Sequence, residues 1–413
     1  MIKRVLLIIF RLLLGCVFVF SGFVKTIDPL GFTYKIQDYL SAMGPFISNF
    51  SSVAFIAAVT LSALELLVGL NFILGARLKE TTWVAALFLL FMTPLTFWIA
   101  IKNPVHDCGC FGDALIISNW ATFWKNIVLS ALVVSVFLLR KSHKPFVGHH
   151  VQWALALYGF LFAIGLSTYC YYHLPLVDFR PYKIGSNIAK GMEIPANAAS
   201  DSFDIKLIYA KNGVEKEFTL QNYPKNDNSW TFVDQKSVLV KKGYEPPIHD
   251  FTMETDHGDI TNDVLSNPGY TFLLISYDLK KTNIAKSNKI NDIYHYAKKH
   301  GYGFYAMTAS TDDDIATYKK QAKAEYPIVL TDKITLKTII RSNPGLVLIK
   351  GATVYNMWSV YDLPRFKEPL EKSALGTIEK PDAKNTIAIV AILFLVPVFI
   401  TFLIDTFLTN RRD

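Results

Sequence analysis

Residues 5–24 read VLLIIFRLLLGCVFVFSGFV, an apolar run that a single arginine interrupts. An α-helix of about 20 residues is about 30 Å long, which matches the hydrocarbon core of a membrane. Further runs of similar length begin near Ser52, Thr81, Thr122, Val151 and Thr386. With 51% hydrophobic residues among 413, the composition is too apolar for an ordinary soluble enzyme and predicts six membrane-spanning helices.

Lysine and arginine lie in the short segments on one side of these predicted spans. The residues concerned are Lys3, Arg4, Arg77, Lys79, Arg140, Lys141, Lys144, Arg411 and Arg412. Because cationic loops are retained in the cytoplasm, we expect a multi-pass protein of a bacterial inner membrane with both termini cytoplasmic. Residues from about 172 to 385 then lie in the periplasm. The net charge of +8 is partly this topological signal, so we expect no nucleic-acid partner, only the lipid bilayer and proteins.

The four cysteines are Cys16, Cys108, Cys110 and Cys170, and the large soluble region contains none of them. Cys108 and Cys110 fall in the outer loop between the third and fourth spans, and Cys170 ends the fifth span at its outer edge. Cys16 falls in the outer half of the first span. All four are therefore predicted to face an oxidising compartment, where disulfides form and persist.

The predicted spans of residues 1–145, which we expect to pack as a four-helix bundle, contain charged residues that are informative. They are Arg11 in the first span and Glu65 in the second. An ionised group in hydrocarbon costs several kcal/mol, so both side chains should face the bundle interior, where they could pair. A structural ion pair and a site that handles protons or a quinone are both compatible with this pattern.

The soluble region divides into a β-rich part and an α/β part. Alternating apolar residues on both sides of Asn212-Gly213 predict a hairpin with a type I′ turn, in a subdomain that ends near Tyr244. Beyond Glu245-Pro246-Pro247, strands and helices alternate, which predicts a sheet covered by helices. We predict strands at 271–276, 304–307, 328–330, 346–349 and 353–357, and helices at 288–300 and 312–324, the second opened by an aspartate cap.

Residues 245–365 resemble a thioredoxin fold of the peroxiredoxin or TlpA type. The resemblance rests on Asp250-Phe251-Thr252, on Gly258-Asp259-Ile260 before the strand at 271–277, and on Asn343-Pro344-Gly345. The last of these is similar to the segment that carries the cis-proline of that fold into its next strand. The segment 278–283 reads DLKKTN and has no cysteine where the family's redox motif would stand. Since thiolate chemistry requires a thiol, the resemblance implies a degenerate domain that binds or docks a partner.

Residues 1–140 resemble the DoxX superfamily, and within it the MauE branch. The motifs are Arg11, Gly15, Phe18, Ser21-Gly22, Lys25 and Asp28-Pro29 in the first helix, Glu65, Gly69 and Gly75 in the second, and Cys108-Gly109-Cys110-Phe111-Gly112 in the outer loop. The resemblance implies a four-helix bundle that is associated with the redox maturation of periplasmic proteins.

Together these patterns predict a membrane α-helical fold with six transmembrane helices, of which four form a DoxX-like bundle. A periplasmic α/β thioredoxin-like domain and a small β-rich subdomain complete it. The predicted boundaries are 1–145 for the bundle, 150–172 for the fifth helix, 173–244 for the β-rich subdomain, 245–372 for the thioredoxin-like domain and 386–408 for the sixth helix.

The loop 106–113, HDCGCFGD, is the densest group of reactive side chains in the chain. Two cysteines separated by one glycine can close a small strained disulfide, which is easily exchanged. Cys170 or Cys16 would then act as a relay thiol. Two alternatives stay open: a structural disulfide, and a zinc or copper site formed by both loop cysteines with His106, for which no fourth ligand is evident.

Three functions are compatible with the sequence. The first is a membrane protein that supports thiol-disulfide redox or maturation of periplasmic proteins through Cys108 and Cys110, with the soluble domain docking a client or a soluble redox partner. By analogy with the family, electrons could pass to a membrane quinone beside Arg11 and Glu65. The second is a non-enzymatic envelope scaffold whose cysteines form one static disulfide. The third, a small-molecule transporter, lacks the paired broken helices that mark a midplane substrate site.

Overall fold

The computed structural model describes residues 2–105, 107–143, 148–195, 197–199, 202–211, 214–219, 222–225, 229–241 and 243–410. Its helices are α1 (Ile2–Ile27), α2 (Pro29–Ala42), α3 (Pro45–Ser48), α4 (Ala54–Leu74), α5 (Leu78–Lys102), α6 (Asn119–Leu139), α7 (His149–His173), α8 (Ile188–Met192), α9 (Thr261–Ser266), α10 (Ser287–His300), α11 (Asp312–Ala322), α12 (Lys333–Ile339) and α13 (Ala383–Asn410). Its strands are β1 (Ser202–Lys211), β2 (Val214–Thr219), β3 (Thr231–Lys241), β4 (Glu254–Thr255), β5 (Gly258–Asp259), β6 (Tyr270–Ile275), β7 (Gly303–Thr308), β8 (Ile328–Leu330), β9 (Gly345–Lys350) and β10 (Thr353–Ser359).

Six of the described helices are long and apolar enough to cross a membrane: α1, α4, α5, α6, α7 and α13. The predicted membrane α-helical fold with an α/β soluble domain is therefore confirmed. Apolar side chains of α1, α4, α5 and α6 form one buried cluster, which includes Leu14, Phe18, Phe72 and Leu89. A second cluster, with Leu155 and Phe394, joins α7 to α13.

Helices α1 and α4 approach each other closely because glycine occupies their contact points. A Cβ atom added to Gly22 would lie 2.4 Å from the backbone nitrogen of Leu66, and one on Gly69 would lie 2.5 Å from that of Val19. Small residues allow this backbone contact in membrane bundles, where close packing drives association. The contact brings the polar residues of both helices within hydrogen-bond reach.

A short helix that the sequence analysis did not predict, α2, follows α1 directly. The Asp28 carboxylate accepts a hydrogen bond from the Gly31 N–H at 2.9 Å, and Pro29 stands at the first helical position. An aspartate cap followed by proline is a favoured helix start. A single residue, Asp28, therefore separates α1 from α2.

The α/β domain contains a seven-stranded sheet in the order β10-β9-β6-β7-β8-β4-β5. Strand β6 is buried along its whole length and pairs in parallel with β7, while β9 and β10 add on its other side in antiparallel pairing. The predicted strands at 271–276, 304–307, 328–330, 346–349 and 353–357 all occur. The aspartate cap of α11 is wrong: Thr311 occupies the N-cap position and Asp312 is the first helical residue.

The chain divides into two compact units, of which Met1–Ser186 and Thr252–Asp413 form the first and Asn187–Phe251 the second. The second unit contains a three-stranded antiparallel sheet in the order β2-β1-β3. The predicted hairpin is confirmed by the pairing of Lys211 with Val214. Its predicted turn residues, Asn212-Gly213, lie outside the described residues.

Candidate functional site

The loop between α5 and α6 places two cysteines side by side. The Sγ atoms of Cys108 and Cys110 lie 3.0 Å apart, and the two residues are 5% and 6% exposed. Gly109 between them has a φ of +62°, a backbone conformation that glycine adopts without steric cost. The Asp107 carboxylate accepts the Gly109 N–H at 2.7 Å and tightens the turn. The Cys-Gly-Cys sequence thus produces a vicinal thiol pair in a buried loop.

Helix α2 holds this loop from one side. The Tyr39 hydroxyl donates a hydrogen bond to the Cys108 carbonyl oxygen, and Lys35 Nζ lies 2.7 Å from Asp107 Oδ2. Tyr39, Ile99 and both cysteines belong to one buried apolar cluster. The loop is therefore a packed part of the fold.

The membrane bundle holds the loop from the other side through a buried ion pair. Lys25 Nζ of α1 lies 2.9 and 2.8 Å from the two carboxylate oxygens of Glu65 on α4, and these residues are 2% and 4% exposed. The Ser21 Oγ atom lies 3.0 Å from Glu65 Oε2 and 2.8 Å from the Cys110 carbonyl oxygen. A continuous hydrogen-bond network therefore joins the ion pair to residues 107–113, which we call the cysteine loop.

The predicted pairing of Arg11 with Glu65 is wrong. Arg11 donates to the Ile73 carbonyl oxygen at 3.3 Å and to His143 Nδ1 at 3.2 Å, while His143 Nε2 donates to the Gly75 carbonyl oxygen at 2.8 Å. Arg11 lies 14 positions before Lys25 on α1, a separation of roughly 21 Å along a helix. The physical reason is helix register, because α1 and α4 run side by side and Glu65 meets the opposite end of α1.

The distance between Arg11 and Glu65 also tests the predicted quinone site, which both residues were expected to form. Arg11 and Glu65 do not share a cavity or a hydrogen-bond network among the described residues. The residues present therefore do not fit a quinone held between them, and no step is assigned to that group.

The two thiols differ in acidity because their surroundings differ. A hydrogen bond from Cys108 lowers the pKa of Cys110 to about 6, and the ammonium groups of Lys125 and Lys25 act in the same direction, against burial. The same hydrogen bond, together with burial, raises the pKa of Cys108. Lys125 Nζ also lies 4.5 Å from the centroid of the neighbouring Phe111 ring. Cys110 is thus the thiol that ionises first, and a thiolate is the nucleophile in disulfide exchange.

The other predicted site residues lie apart from the pair. Cys170 is buried in a separate apolar cluster with Ile27 and Val177. Cys16 is exposed on the surface of α1. His106, a predicted metal ligand, lies outside the described residues, and the residues that are described contain no group of three metal-ligating side chains.

A face of the α/β domain covers the cysteine loop. Arg341, which is 6% exposed, donates from Nε to both carboxylate oxygens of Asp28 at 3.0 Å and from Nη2 to Asp113 Oδ2 at 2.8 Å. Tyr277 packs edge to face on Tyr34 of α2 with ring centroids 5.9 Å apart. We call Tyr277, Lys337 and Arg341 the docking face.

A cavity of about 150 Å³ lies between the docking face and the cysteine loop. Gly109 and Gly112 of the loop line it, as do Lys337 and Arg341. Lys337 Nζ lies 4.3 Å from the centroid of the Tyr34 ring, a cation-π contact. Lys337 and Arg341 of the docking face therefore share a cavity with Gly109 and Gly112 of the loop.

The segment 276–282 carries hydroxyl and amide groups where the resemblance would place redox cysteines. Ser276 hydrogen bonds to Thr282 and donates to Asn343 Oδ1 at 2.9 Å. Asn343 Nδ2 donates to the Asp278 carbonyl oxygen at 2.9 Å, and the Asn343–Pro344 peptide bond is cis. These contacts form a closed polar network within the domain.

Comparison with known proteins supports the membrane half of this description. Residues 3–140 match the family described as methylamine utilisation protein MauE, so the predicted resemblance to the MauE branch is confirmed there. Residues 203–242 match a family described as a domain of unknown function (DUF8463). No curated protein matches the chain.

One solved structure is similar in part, a solution structure from Bacteroides thetaiotaomicron that is provisionally assigned as a protein disulfide isomerase. It shares 16% sequence identity and a TM-score of 0.23, over 28% of this chain and 77% of that one. A score at this level is too low to establish a shared fold.

Proposed function

We propose that this multi-pass membrane protein exchanges a disulfide with cysteine pairs of extracytoplasmic proteins through Cys108 and Cys110. The observation that carries the proposal is the buried vicinal pair, with Sγ atoms 3.0 Å apart and a lowered pKa at Cys110. A disulfide needs an Sγ–Sγ distance of roughly 2.05 Å, so a small shift of either side chain suffices to close the bond.

In the proposed exchange, one disulfide and two thiols change places between the loop and the client. A client thiolate attacks one sulfur of the loop disulfide, forms a mixed disulfide and releases the other sulfur as a thiolate. The second client thiol then displaces the loop, so that the client gains a disulfide and the loop gains two thiols. The reverse direction reduces a client disulfide by the same atoms. Cys110, the more acidic thiol, is the better leaving group and the first to ionise.

The α/β domain acts in this proposal as a degenerate thioredoxin-like domain that controls access to the loop. Cys108 and Cys110 are 5% and 6% exposed, and Arg341 of the docking face contacts Asp113 of the same loop, so we expect a protein client to need a movement of the docking face to reach them. The contacts of Arg341 with Asp28 and Asp113 must break in that movement. Cys170 and Cys16 remain candidates for relay thiols, which act only if the loop moves towards them.

We place the protein in a bacterial cytoplasmic membrane with both termini in the cytoplasm. The support is the concentration of lysine and arginine at the ends of the spans opposite the cysteine loop, such as Arg77 and Arg140. The α/β domain and the loop then share the oxidising side. This is the compartment in which disulfide exchange with secreted proteins takes place.

Redox titration of the full chain in native membranes tests the proposal. Membranes are equilibrated at a series of defined potentials, free thiols are alkylated, and the peptide that contains Cys108 and Cys110 is quantified by mass spectrometry. Reversible titration of the pair, together with oxidation of a dithiol peptide by the oxidised form, supports exchange. A disulfide that resists reduction until the protein unfolds contradicts it.

A second function is favoured by the polar network of Ser276, Thr282 and Asn343. A domain that has this network and no thiol suits a binding module, in an envelope scaffold whose loop disulfide is structural. Replacement of Cys108 by serine separates the two functions. A scaffold loses stability in the variant and retains partner binding, whereas an exchange protein keeps its fold and loses all transfer.

A further inference from the structure

A groove of about 480 Å³ separates the C-terminal end of α7 from the N-terminal end of α13. Its lining is almost entirely apolar and includes Phe162, Leu166, Tyr169, Ile389, Val390 and Leu393. Gly165 also lines it, and a Cβ atom added there would have no neighbour within 4 Å. Because a helix advances about 1.5 Å per residue, the groove is about 10 Å long, which fits within one leaflet of a membrane, about 15 Å of hydrocarbon.

The groove is closed at one end and adjoins a second cavity at the other. At the closed end, the rings of Tyr158 and Phe394 stack with centroids 5.5 Å apart, and the Tyr158 hydroxyl donates to the Leu393 carbonyl oxygen at 2.9 Å. At the other end, Leu176 lines both the groove and a cavity of about 370 Å³, which we call the cationic cavity. This arrangement suits a hydrocarbon chain whose polar end remains at the membrane surface.

The cationic cavity has two positive charges that no neighbouring carboxylate pairs. The charged side chains that line it are Asp178, Arg180, Lys183 and Lys380. Asp178 Oδ2 lies 2.6 Å from Arg180 Nη2, and Arg180 is 2% exposed, so these two form a buried pair. Lys183 and Lys380 are exposed, and the salt bridges among the described residues include neither of them.

Three other charged residues lie near the start of α13. Asp382 Oδ1 accepts the N–H groups of Lys384 and Asn385 at 3.0 and 3.2 Å, and so caps the helix. Glu379 and Lys384 are exposed and are not part of the lining of either cavity. Lys380 differs from them because its side chain lies against Gly185, where an added Cβ atom would be 2.4 Å from Lys380 Cε.

We propose that the groove and the cationic cavity together bind one anionic phospholipid. An acyl chain lies between α7 and α13, and the headgroup phosphate lies between Lys183 and Lys380. Phosphate oxygens form charge-assisted hydrogen bonds with ammonium groups, and lysines at a membrane surface attract anionic lipids. The lipid fills the gap beside α13, the span that the protein itself covers least: 11% of its apolar stretch is buried, against 28% to 50% for the other five spans.

The test is a lipid titration of the purified full chain in detergent, followed by native mass spectrometry. The probes are phosphatidylglycerol and phosphatidylethanolamine with the same acyl chains. The wild type should bind one phosphatidylglycerol at least tenfold more tightly than phosphatidylethanolamine. Lys183→Gln and Lys380→Gln should each weaken phosphatidylglycerol binding about fivefold, the effect of one lysine at an anionic membrane surface. Equal affinity of the wild type for both lipids overturns the proposal.

Lys384→Gln is the matched control for the lysine variants. It removes an exposed cation from the start of α13 that is not part of the lining of either cavity, so the affinity for phosphatidylglycerol should stay at its wild-type value. An equal loss in Lys384→Gln and Lys380→Gln would show a general attraction to the protein surface and would overturn the proposal.

A second pair of variants tests the acyl chain. Gly165→Trp fills the groove and should weaken the binding of both lipids at least tenfold, whereas Gly165→Ala should bind them as the wild type does. If Gly165→Trp does not fold, Ile389→Trp fills the groove from α13. Unchanged lipid binding in the tryptophan variant that folds overturns the proposal. Displacement of phosphatidylglycerol by glycerol 3-phosphate also overturns it, because a headgroup without chains would then suffice.

The lipid site and the thiol exchange can fail separately. Neither Cys108 nor Cys110 is among the described residues that line the groove or the cationic cavity. Lipid binding is measured without a client and does not depend on the redox state of the loop.

Discussion

The cysteine loop and the segment 276–282 both contact α2 and have opposite chemistry. The loop has two thiols, 3.0 Å apart, on a membrane bundle. The segment follows a buried central strand, where the thioredoxin resemblance expects thiols, and has Ser276 and Thr282 in a closed hydrogen-bond network. In the proposed function, the reactive groups lie on the membrane bundle and the recognition surface lies on the α/β domain.

Arg341 joins the two regions, because it connects the docking face to Asp28 and to Asp113 of the loop. The loop is held at Cys108 by Tyr39 and at Cys110 by Ser21, both through backbone carbonyl oxygens. These contacts hold the loop backbone, and the two sulfur atoms remain in contact with each other.

The largest expected effect comes from the thiols themselves. Cys108→Ser and Cys110→Ser should each abolish exchange with a dithiol peptide, because one thiol cannot form the loop disulfide. Serine is close to cysteine in size, so the unfolding temperature of the full chain should change little. Residual exchange in both variants would contradict the assignment of the reactive thiols to the loop. Cys170 would then be the next residue to replace.

The second expected effect is on access to the loop. Arg341→Ala leaves two partly buried carboxylates without their cation, which costs about 3 kcal/mol, the low end for a buried pair because Asp113 is 36% exposed. Since about 1.4 kcal/mol corresponds to a tenfold change in an equilibrium, alkylation of Cys108 and Cys110 by a bulky maleimide should rise at least tenfold.

The matched control for this variant is Lys333→Ala, which removes an exposed cation from α12. It should leave the alkylation rate at its wild-type value. Equal rates in Arg341→Ala and the wild type would show that the loop is reached by another route and that the docking face does not control access.

A smaller effect is expected at the turn between the thiols. Gly109→Ala forces a φ of +62° on a residue with a side chain and sets its Cβ 3.0 Å from Lys35 Cγ. The left-handed conformation alone costs about 1–2 kcal/mol, which thermal unfolding of the full chain should detect. Gly165→Ala is the control, since a Cβ there has no neighbour within 4 Å. Equal loss of stability in both variants would argue against a special role for the turn.

The smallest effect is expected in the segment without thiols. Thr282→Val removes a hydroxyl that contacts Ser276 and the Asp278 carbonyl oxygen, which should lower the free energy of unfolding by about 1 kcal/mol. Exchange through the loop should be unchanged. A large loss of exchange in this variant would contradict the division of roles, because it would give the segment a part in the chemistry.

Much of the local structure was predictable from the sequence. The strand β6 and the helix α10 occur within one residue of their predicted positions, because a buried apolar run and a 3.6-residue period are local signals. The short helix α2 was missed, although Asp28-Pro29 is a helix start that could have revealed it.

The candidate site was predictable only in part. The spacing of the two loop cysteines predicted a small strained disulfide, and in the structure both are free thiols with Sγ atoms 3.0 Å apart. The spacing of Ser21 and Lys25 by four residues on α1 could have shown that both face Glu65, since residues four apart share a helix face. Arg341 gave no signal in the sequence, because its partner Asp28 lies 313 positions away.

By itself, the sequence determined the membrane spans, the β-rich hairpin and the absence of cysteine from the α/β domain. These properties depend on the composition and period of short segments, and apolar length alone decides whether a helix can cross a membrane. Only the tertiary structure decided that Glu65 pairs with Lys25 and that Arg341 closes the α/β domain over the loop. The energy of an ion pair depends on the distance between its charges. The packing of helices and domains sets that distance, and no local sequence pattern predicts it.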